Sequence, residues 1–122
     1  MAYADGFLIP VPTKNLAAYR KMSEAAGKVW MEHGALDYKE CAGDDMTPEG
    51  LTTTFPKAMK LKSGHTLVFS WIVYASKGER TRILKKVMAD PRLAKMMTGD
   101  APFNVKLMAY GGFKVIVSAS AR

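Results

Sequence analysis

The sequence predicts an α+β domain in which two helices back one small antiparallel sheet, and three observations carry that reading. The 122 residues, 48% hydrophobic and 24% charged, suit a single globular domain over 1–122 with one core. Hydrophobic periodicity alternates between two and 3.6 along the chain, giving the order strand, helix, strand, strand, helix, strand. The run Leu67 to Tyr74 is apolar at nearly every position, as expected for a strand covered on both faces.

From Tyr3 to Val11, the side chains of Tyr3, Phe7, Ile9 and Val11 recur at even spacing with Leu8 on the other face, and Pro10 and Pro12 end this first strand. A helix follows at once. Thr13 is placed to cap it, and Leu16, Tyr19, Met22, Ala26, Val29, Trp30 and His33 fall at intervals of three and four. Gly34 closes it, because a positive φ costs glycine little. Leu36 to Met46 reads as a charged edge strand that runs into a turn-rich loop from Gly43 to Gly50. A short extended arm over Phe55 to Leu61 precedes the Ser63-Gly64 turn, and Leu67 to Tyr74 is the centre of the sheet. Ser76-Lys77-Gly78-Glu79 forms a capping box for a second helix whose buried stripe is Ile83, Leu84, Val87 and Met88 and whose end is Asp90-Pro91. Arg92 to Met97 makes a further short turn. Lys106 to Val117 is the last strand, in which Gly111-Gly112 marks a bulge or a close approach to another backbone. The small, polar tail from Ser118 to Arg122 frays.

This order is that of the ferredoxin-like βαββαβ unit, a four-stranded antiparallel sheet of order 4-1-3-2. The charge distribution agrees, since the two central strands carry only Asp5 between them. Two helices cover one face of such a sheet. In the third strand, Leu67, Phe69, Trp71 and Val73 line one face and Val68, Ile72 and Tyr74 the other, so a second face also needs cover. Leaving three such side chains wet forgoes about 1.5 to 3 kcal/mol each, and a second copy packed face to face through the sheet is the simplest cover.

Composition excludes several classes. One cysteine, Cys41, forms no internal disulfide, and with only two histidines no zinc finger can be built, so a reducing compartment is expected. The first 20 residues lack a signal-peptide pattern and no apolar run approaches the roughly 18 residues of a membrane helix, which predicts a soluble, cytoplasmic protein with no membrane partner. The net charge of +7 is concentrated between Lys77 and Lys95, where seven basic residues face two acids. No aromatic residue interleaves them, so a solvated helix face outranks an RNA-binding one.

Taken together and in order, the segments Tyr-Ala-Asp-Gly-Phe at 3 to 7, Glu40-Cys41, Gly43-Asp44-Asp45, Phe55-Pro56-Lys57-Ala58, Val68 to Ile72, Ser76-Lys77, Met88 to Arg92, Pro102-Phe103 and Tyr-Gly-Gly-Phe at 110 to 113 make a specific pattern. It resembles the YbaA-like uncharacterised bacterial family, domain of unknown function 1428, of the dimeric α/β barrel superfamily, over nearly the whole chain. The resemblance implies two sheets packing into a dimeric α/β barrel, and no established reaction. This chain departs from the family pattern at Ala42, where a Trp is expected, and at Asn104 to Leu107, in place of an Asp-Gly-Lys-Arg-like run. If those positions shape a pocket, the ligand differs from that of the relatives.

His33 and His65 are not spaced as metal ligands, and no phosphate loop, nucleotide fingerprint or nucleophile elbow appears, so neither a metal nor a cofactor is expected. Some barrel relatives hold haem on a helix histidine, which the second helix here lacks. Cys41 reads as small buried filler. Asp5, in the middle of a central strand, must find a hydrogen-bond donor or face a pocket, and is the one catalytic candidate, as base or orienter. Glu40, Trp71 and Tyr110 are the candidate walls of a ligand pocket between helices and sheet; Glu40, on the edge strand, is either solvent-facing, the commoner case, or points inward beside Trp71, and core packing is the plainer role for Trp71 and Tyr110. The function read from this is a homodimer that binds a small, largely apolar molecule, with cofactor-independent oxygenase- or isomerase-like activity as its enzymatic form. The alternatives are a non-enzymatic protein using its basic helix on RNA or another acidic partner, and a purely structural dimer.

Overall fold

Alternating burial along β1 (Tyr3–Pro12) places Tyr3, Asp5, Ile9 and Val11 on one face of the sheet. The computed structural model describes residues 1–96 and 101–121. In it, β1 lies between β3 (His65–Tyr74) and β4 (Ala109–Lys114), antiparallel to both, and β2 (Asp37–Ala42) pairs with the free side of β3. The order β2-β3-β1-β4 is the expected 4-1-3-2 read from the opposite edge.

Helices α1 (Leu16–Glu32), α3 (Lys77–Ala89) and α4 (Pro91–Met96) cover the face that bears Val68, Ile72 and Tyr74. Their buried side chains form two separate clusters. Ile9, Val11, Tyr19 and Val68 make one; Val29, Ala35, Ile72, Tyr74, Ile83, Val87 and Leu93 make the other; Phe7 packs against both. Val68, Ile72 and Tyr74, the three side chains expected to need a second copy as cover, are thus the ones the chain's own helices bury, and the face left without these three helices is the one with Leu67, Phe69, Trp71 and Val73. Phe69 is 44% and Phe113 of β4 60% exposed there. Phe55 stands over it, edge-to-face on Phe69 at 6.2 Å.

Several expectations are corrected. Thr13 does not cap α1: the chain tightens through a 3-10 turn, Thr13–Asn15, and Asn15 takes the cap position without a side-chain bond. The Thr13 hydroxyl meets Thr66 across the sheet at 2.9 Å instead. Phe55 to Leu61 is no extended arm. It holds the short helix α2 (Phe55–Ala58), because Thr54 Oγ1 accepts from Lys57 N and Pro56 in the first turn has its φ preset for a helix. β2 is shorter than expected, ending at Ala42, where Gly43 N turns to donate to Leu67 O at 2.8 Å. The last strand starts only at Ala109, since Asn104 Oδ1 accepts from Lys106 N and winds Val105–Leu107 into a 3-10 turn.

The capping box is half formed. Ser76 Oγ accepts from Glu79 N at 3.1 Å, but the Glu79 carboxylate pairs with Arg82 one turn on rather than reaching back. Gly111 and Gly112 pair with Gly6 and Asp5 in unbroken register, so there is no bulge. What approaches Gly112 closely is side chain: a Cβ there would run into the Tyr3 hydroxyl and lie 2.7 Å from Arg80 Nη2. Cys41 is exposed, not buried, because β2 is an edge strand and its odd positions face the helix-free side. The short turn expected over Arg92 to Met97 is the helix α4 as far as Met96, and Met97 lies outside the described residues. Positions 118–121 have no regular structure, and Arg122 is outside the described residues.

Candidate functional site

The two clusters leave a chamber of about 370 Å³ between them. Two of the residues that line it are small, Ala26 on α1 and Ser70 on β3, where larger ones would take up its room. Its walls are apolar: Phe7 and Ile9 from β1, Met22 from α1, Leu84 and Met88 from α3, Met96 from α4, and Phe103 and Met108 from the segment leading to β4. Methionine suits such a wall because its unbranched thioether adapts to the shape beside it.

Asp5, Glu40 and Tyr110 all line this chamber; Trp71 is not among its walls. The strand register explains the split. Asp5 opposes Gly112, Glu40 opposes Ser70 and Tyr110 opposes Phe7, all on the helix-covered face, whereas Trp71 opposes Gly6 on the open one. There Trp71 packs edge-to-face on Phe69 at 5.4 Å. Of the two readings of Glu40, neither the solvent-facing one nor the one beside Trp71 holds: it lines the chamber, on the opposite side of the sheet from Trp71.

Asp5 is wholly buried. Its Oδ1 accepts from the Tyr110 hydroxyl at 3.1 Å and lies 3.5 Å from Arg80 Nε, an ion pair without hydrogen-bond geometry. Arg80 is itself fixed by donating to the Tyr3 hydroxyl at 3.1 Å with its guanidinium over the Tyr3 ring. Asp5 Oδ2 has no hydrogen-bond partner among the described residues. The Tyr74 hydroxyl, which accepts from Trp30 Nε1 at 3.1 Å, sits beside the carboxyl without closing a bond to it. Burial and then the nearby Asp5 charge push the Tyr110 phenol above its ordinary range.

Glu40 anchors a second polar group. The Tyr19 hydroxyl lies 2.9 Å from both of its oxygens, and the Tyr38 hydroxyl 3.4 Å from Oε2. Burial, followed by the Glu40 charge, raises both phenols, so they are neutral donors. Tyr38 reaches this position because its ring lies against Gly27 of α1, where a Cβ would come within 2.9 Å of it. Beyond this trio a wider groove of about 750 Å³ runs between α1 and β2, past Arg20, Glu24 and Ala42. Tyr19, Tyr38 and Glu40 line both the groove and the chamber, and so stand between them.

Tyr38 and Arg80 were not legible as site residues from periodicity alone, although signals existed. Tyr38 and Glu40 are two apart on a strand and share a face, and Arg80 falls on the same helical stripe as Ile83 and Val87. The basic stretch also changes meaning. Arg80 is committed to Asp5 and Tyr3, Arg82 to Glu79, and Arg92 to Asp90 and Glu32. His33 bonds to Asp90 at 2.9 Å and His65 to the Ser63 carbonyl at 3.1 Å. Among the described residues no group of His, Cys, Asp or Glu side chains converges to hold a metal ion, and no helix is long and apolar enough to cross a membrane.

A family described as protein of unknown function, DUF1428, matches residues 2–105. The chain belongs to the DUF1428 family. It is 42% identical over 117 residues to the uncharacterized protein YbaA of Escherichia coli, covering 96% of this chain and 98% of that one. Among solved structures, this DUF1428 chain is similar to Rv0793 from Mycobacterium tuberculosis (TM-score 0.58, 14% identity, 98% of this chain and 100% of that one). It is also similar to SnoaB, a cofactor-independent oxygenase from Streptomyces nogalater (TM-score 0.55, 10% identity, 96% and 95%). At such identities the likeness is one of fold. For this DUF1428 member, Ala42 lines the groove, and Asn104 to Leu107 join two chamber residues, Phe103 and Met108.

Proposed function

We propose that this protein binds a small, largely apolar molecule in the chamber between helices and sheet, and that it does so as a homodimer whose subunits meet through the open sheet face. The observation that carries the reading is the chamber itself, an apolar hollow into which a few polar groups converge, Asp5 and Tyr110 at one side and Glu40 at the other. Asp5 is the group best suited to chemistry. A buried carboxyl with one unclaimed oxygen can take a proton from a bound carbon or oxygen acid, a step shared by cofactor-independent oxygenation and isomerisation. In that form Asp5 is the base, Tyr110 and Arg80 hold it, and Glu40 and Tyr110 are walls. SnoaB, which shares the fold, is by name a cofactor-independent oxygenase. A reducing, cytoplasmic setting suits the single exposed cysteine.

Thermal-shift measurements over a panel of small aromatic and aliphatic molecules, followed by oxygen-uptake and product assays on the hits, test this reading. Saturable stabilisation by at least one apolar compound, lost when Ala26→Leu narrows the chamber, is expected. A panel with no binder at all removes the reading.

A further inference from the structure

We infer that the molecule bound in the chamber carries a neutral hydroxyl, phenolic or alcoholic, which donates to Asp5 Oδ2. The inference rests on the chamber-binding reading above and names the ligand's polar end. Its basis is the unequal treatment of the two Asp5 oxygens: Oδ1 is held by Tyr110 and faced by Arg80, while Oδ2 is equally buried and has no partner. A buried acceptor without a donor is costly, and native interiors rarely tolerate one unless something supplies the donor.

The surroundings decide what kind of donor that is. An anionic ligand is disfavoured because two carboxyl groups line the chamber, and the one cationic residue on its border, Lys39, has its ammonium 2.6 Å from Asp37. A cationic amine at Asp5 is disfavoured because Arg80 already provides the counter-charge there, so a second cation would be buried in excess. A molecule that only accepts hydrogen bonds leaves Oδ2 as it was. A neutral O–H remains, attached to a body that fits between Phe7, Met22 and Leu84.

The test uses the full chain and four naphthalene probes that differ only in the polar group: 2-naphthol, 2-methoxynaphthalene, 2-naphthoate and 2-(aminomethyl)naphthalene, with affinities measured by calorimetry. Naphthol should bind at least roughly tenfold tighter than the methyl ether, and naphthoate weakest, because a site built around an unpaired acceptor discriminates strongly against analogues that lack the donor. Asp5→Asn should shrink the naphthol-to-ether ratio while leaving ether binding in place. Tyr74→Phe, which removes the hydroxyl beside the carboxyl, should preserve or increase the ratio and keeps the test decisive if Asp5→Asn does not fold. Equal binding of ether and naphthol overturns the inference while sparing the chamber. Tightest binding by the amine overturns it in favour of a cation site at Glu40. Binding of none of the four, alongside a binder elsewhere in the broader panel, overturns it too, whereas no binder anywhere removes the chamber reading on which it rests.

Discussion

The Tyr19–Glu40–Tyr38 trio shows how much one carboxylate constrains. Its two phenols are raised above their unfolded value near 10, first by burial and then by Glu40, so the folded state holds their protons more tightly than the unfolded chain does. The sign follows: this contribution is fully present below about pH 10 and is lost as pH climbs above it towards the folded values. Urea midpoints measured between pH 8 and pH 11 should fall steeply in the wild type, and less steeply in Tyr19→Phe. At neutral pH, Tyr19→Phe should itself cost about 1 to 3 kcal/mol, since it removes a hydrogen bond to a charged group. The two tryptophans report on different places. Trp30 lines the chamber and Trp71 faces the other way, so a chamber ligand should alter emission in Trp71→Phe and leave Trp30→Phe nearly unchanged.

At the scale of elements, α1, α3 and α4 are pinned by the contact between His33 and Asp90 and by Arg92, which bonds both Asp90 and Glu32. Arg92 first, then His33, hold the Asp90 carboxyl well below the usual carboxylate range. A depressed pKa stabilises fully above the unfolded value near 4, and that contribution fades below it and is lost as pH falls through the lower folded value. The wild-type advantage over Asp90→Asn, compared by denaturant midpoint, should therefore be large at pH 7 and shrink below pH 4. The packing of α1 on β2 makes a second prediction: Gly27→Ala should push Tyr38 aside, cost about 1 to 3 kcal/mol by overpacking, and weaken the Tyr38 bond to Glu40, as a melting curve and a Tyr38 ring resonance would show. These helices also show where a sequence speaks and where it is silent. The stripe Leu16 to Trp30, the Ser76 cap and the Gly34 stop were readable because they repeat a local rule, and Gly34 indeed has φ of 117°. Asp5 and its need for a partner were readable from its central position. Arg80 as that partner was harder to read, because only its place on the stripe of Ile83 and Val87 separates this partly buried arginine from the six other basic residues around it. The same holds for Phe55, whose helix depends on one threonine and one proline, and for Trp71, whose side of the sheet is fixed by register rather than by hydrophobicity.

At the scale of the whole molecule, the sheet has one finished face and one unfinished. Phe69, Phe113 and Phe55 are each 44% or more exposed on or beside the open face, and covering what is still wet is worth about half of the roughly 1.5 to 3 kcal/mol that full burial of such a side chain brings. Sedimentation at micromolar concentration should show a dimer, and Phe69→Lys with Phe113→Lys should yield a folded monomer; a wild type that sediments as a folded single chain would sink the proposed pairing. The room left in the chamber by Ala26 and Ser70, two small residues of its lining, has a different consequence. A chain of this size has few apolar contacts to spare, and an unfilled interior forgoes the cohesion that a snugger side chain would bring. Robustness and receptivity are thus opposed at those two positions: a variant that fills the space should melt at higher temperature and admit no guest, so selection for heat tolerance alone would erase the room that the proposed ligand needs.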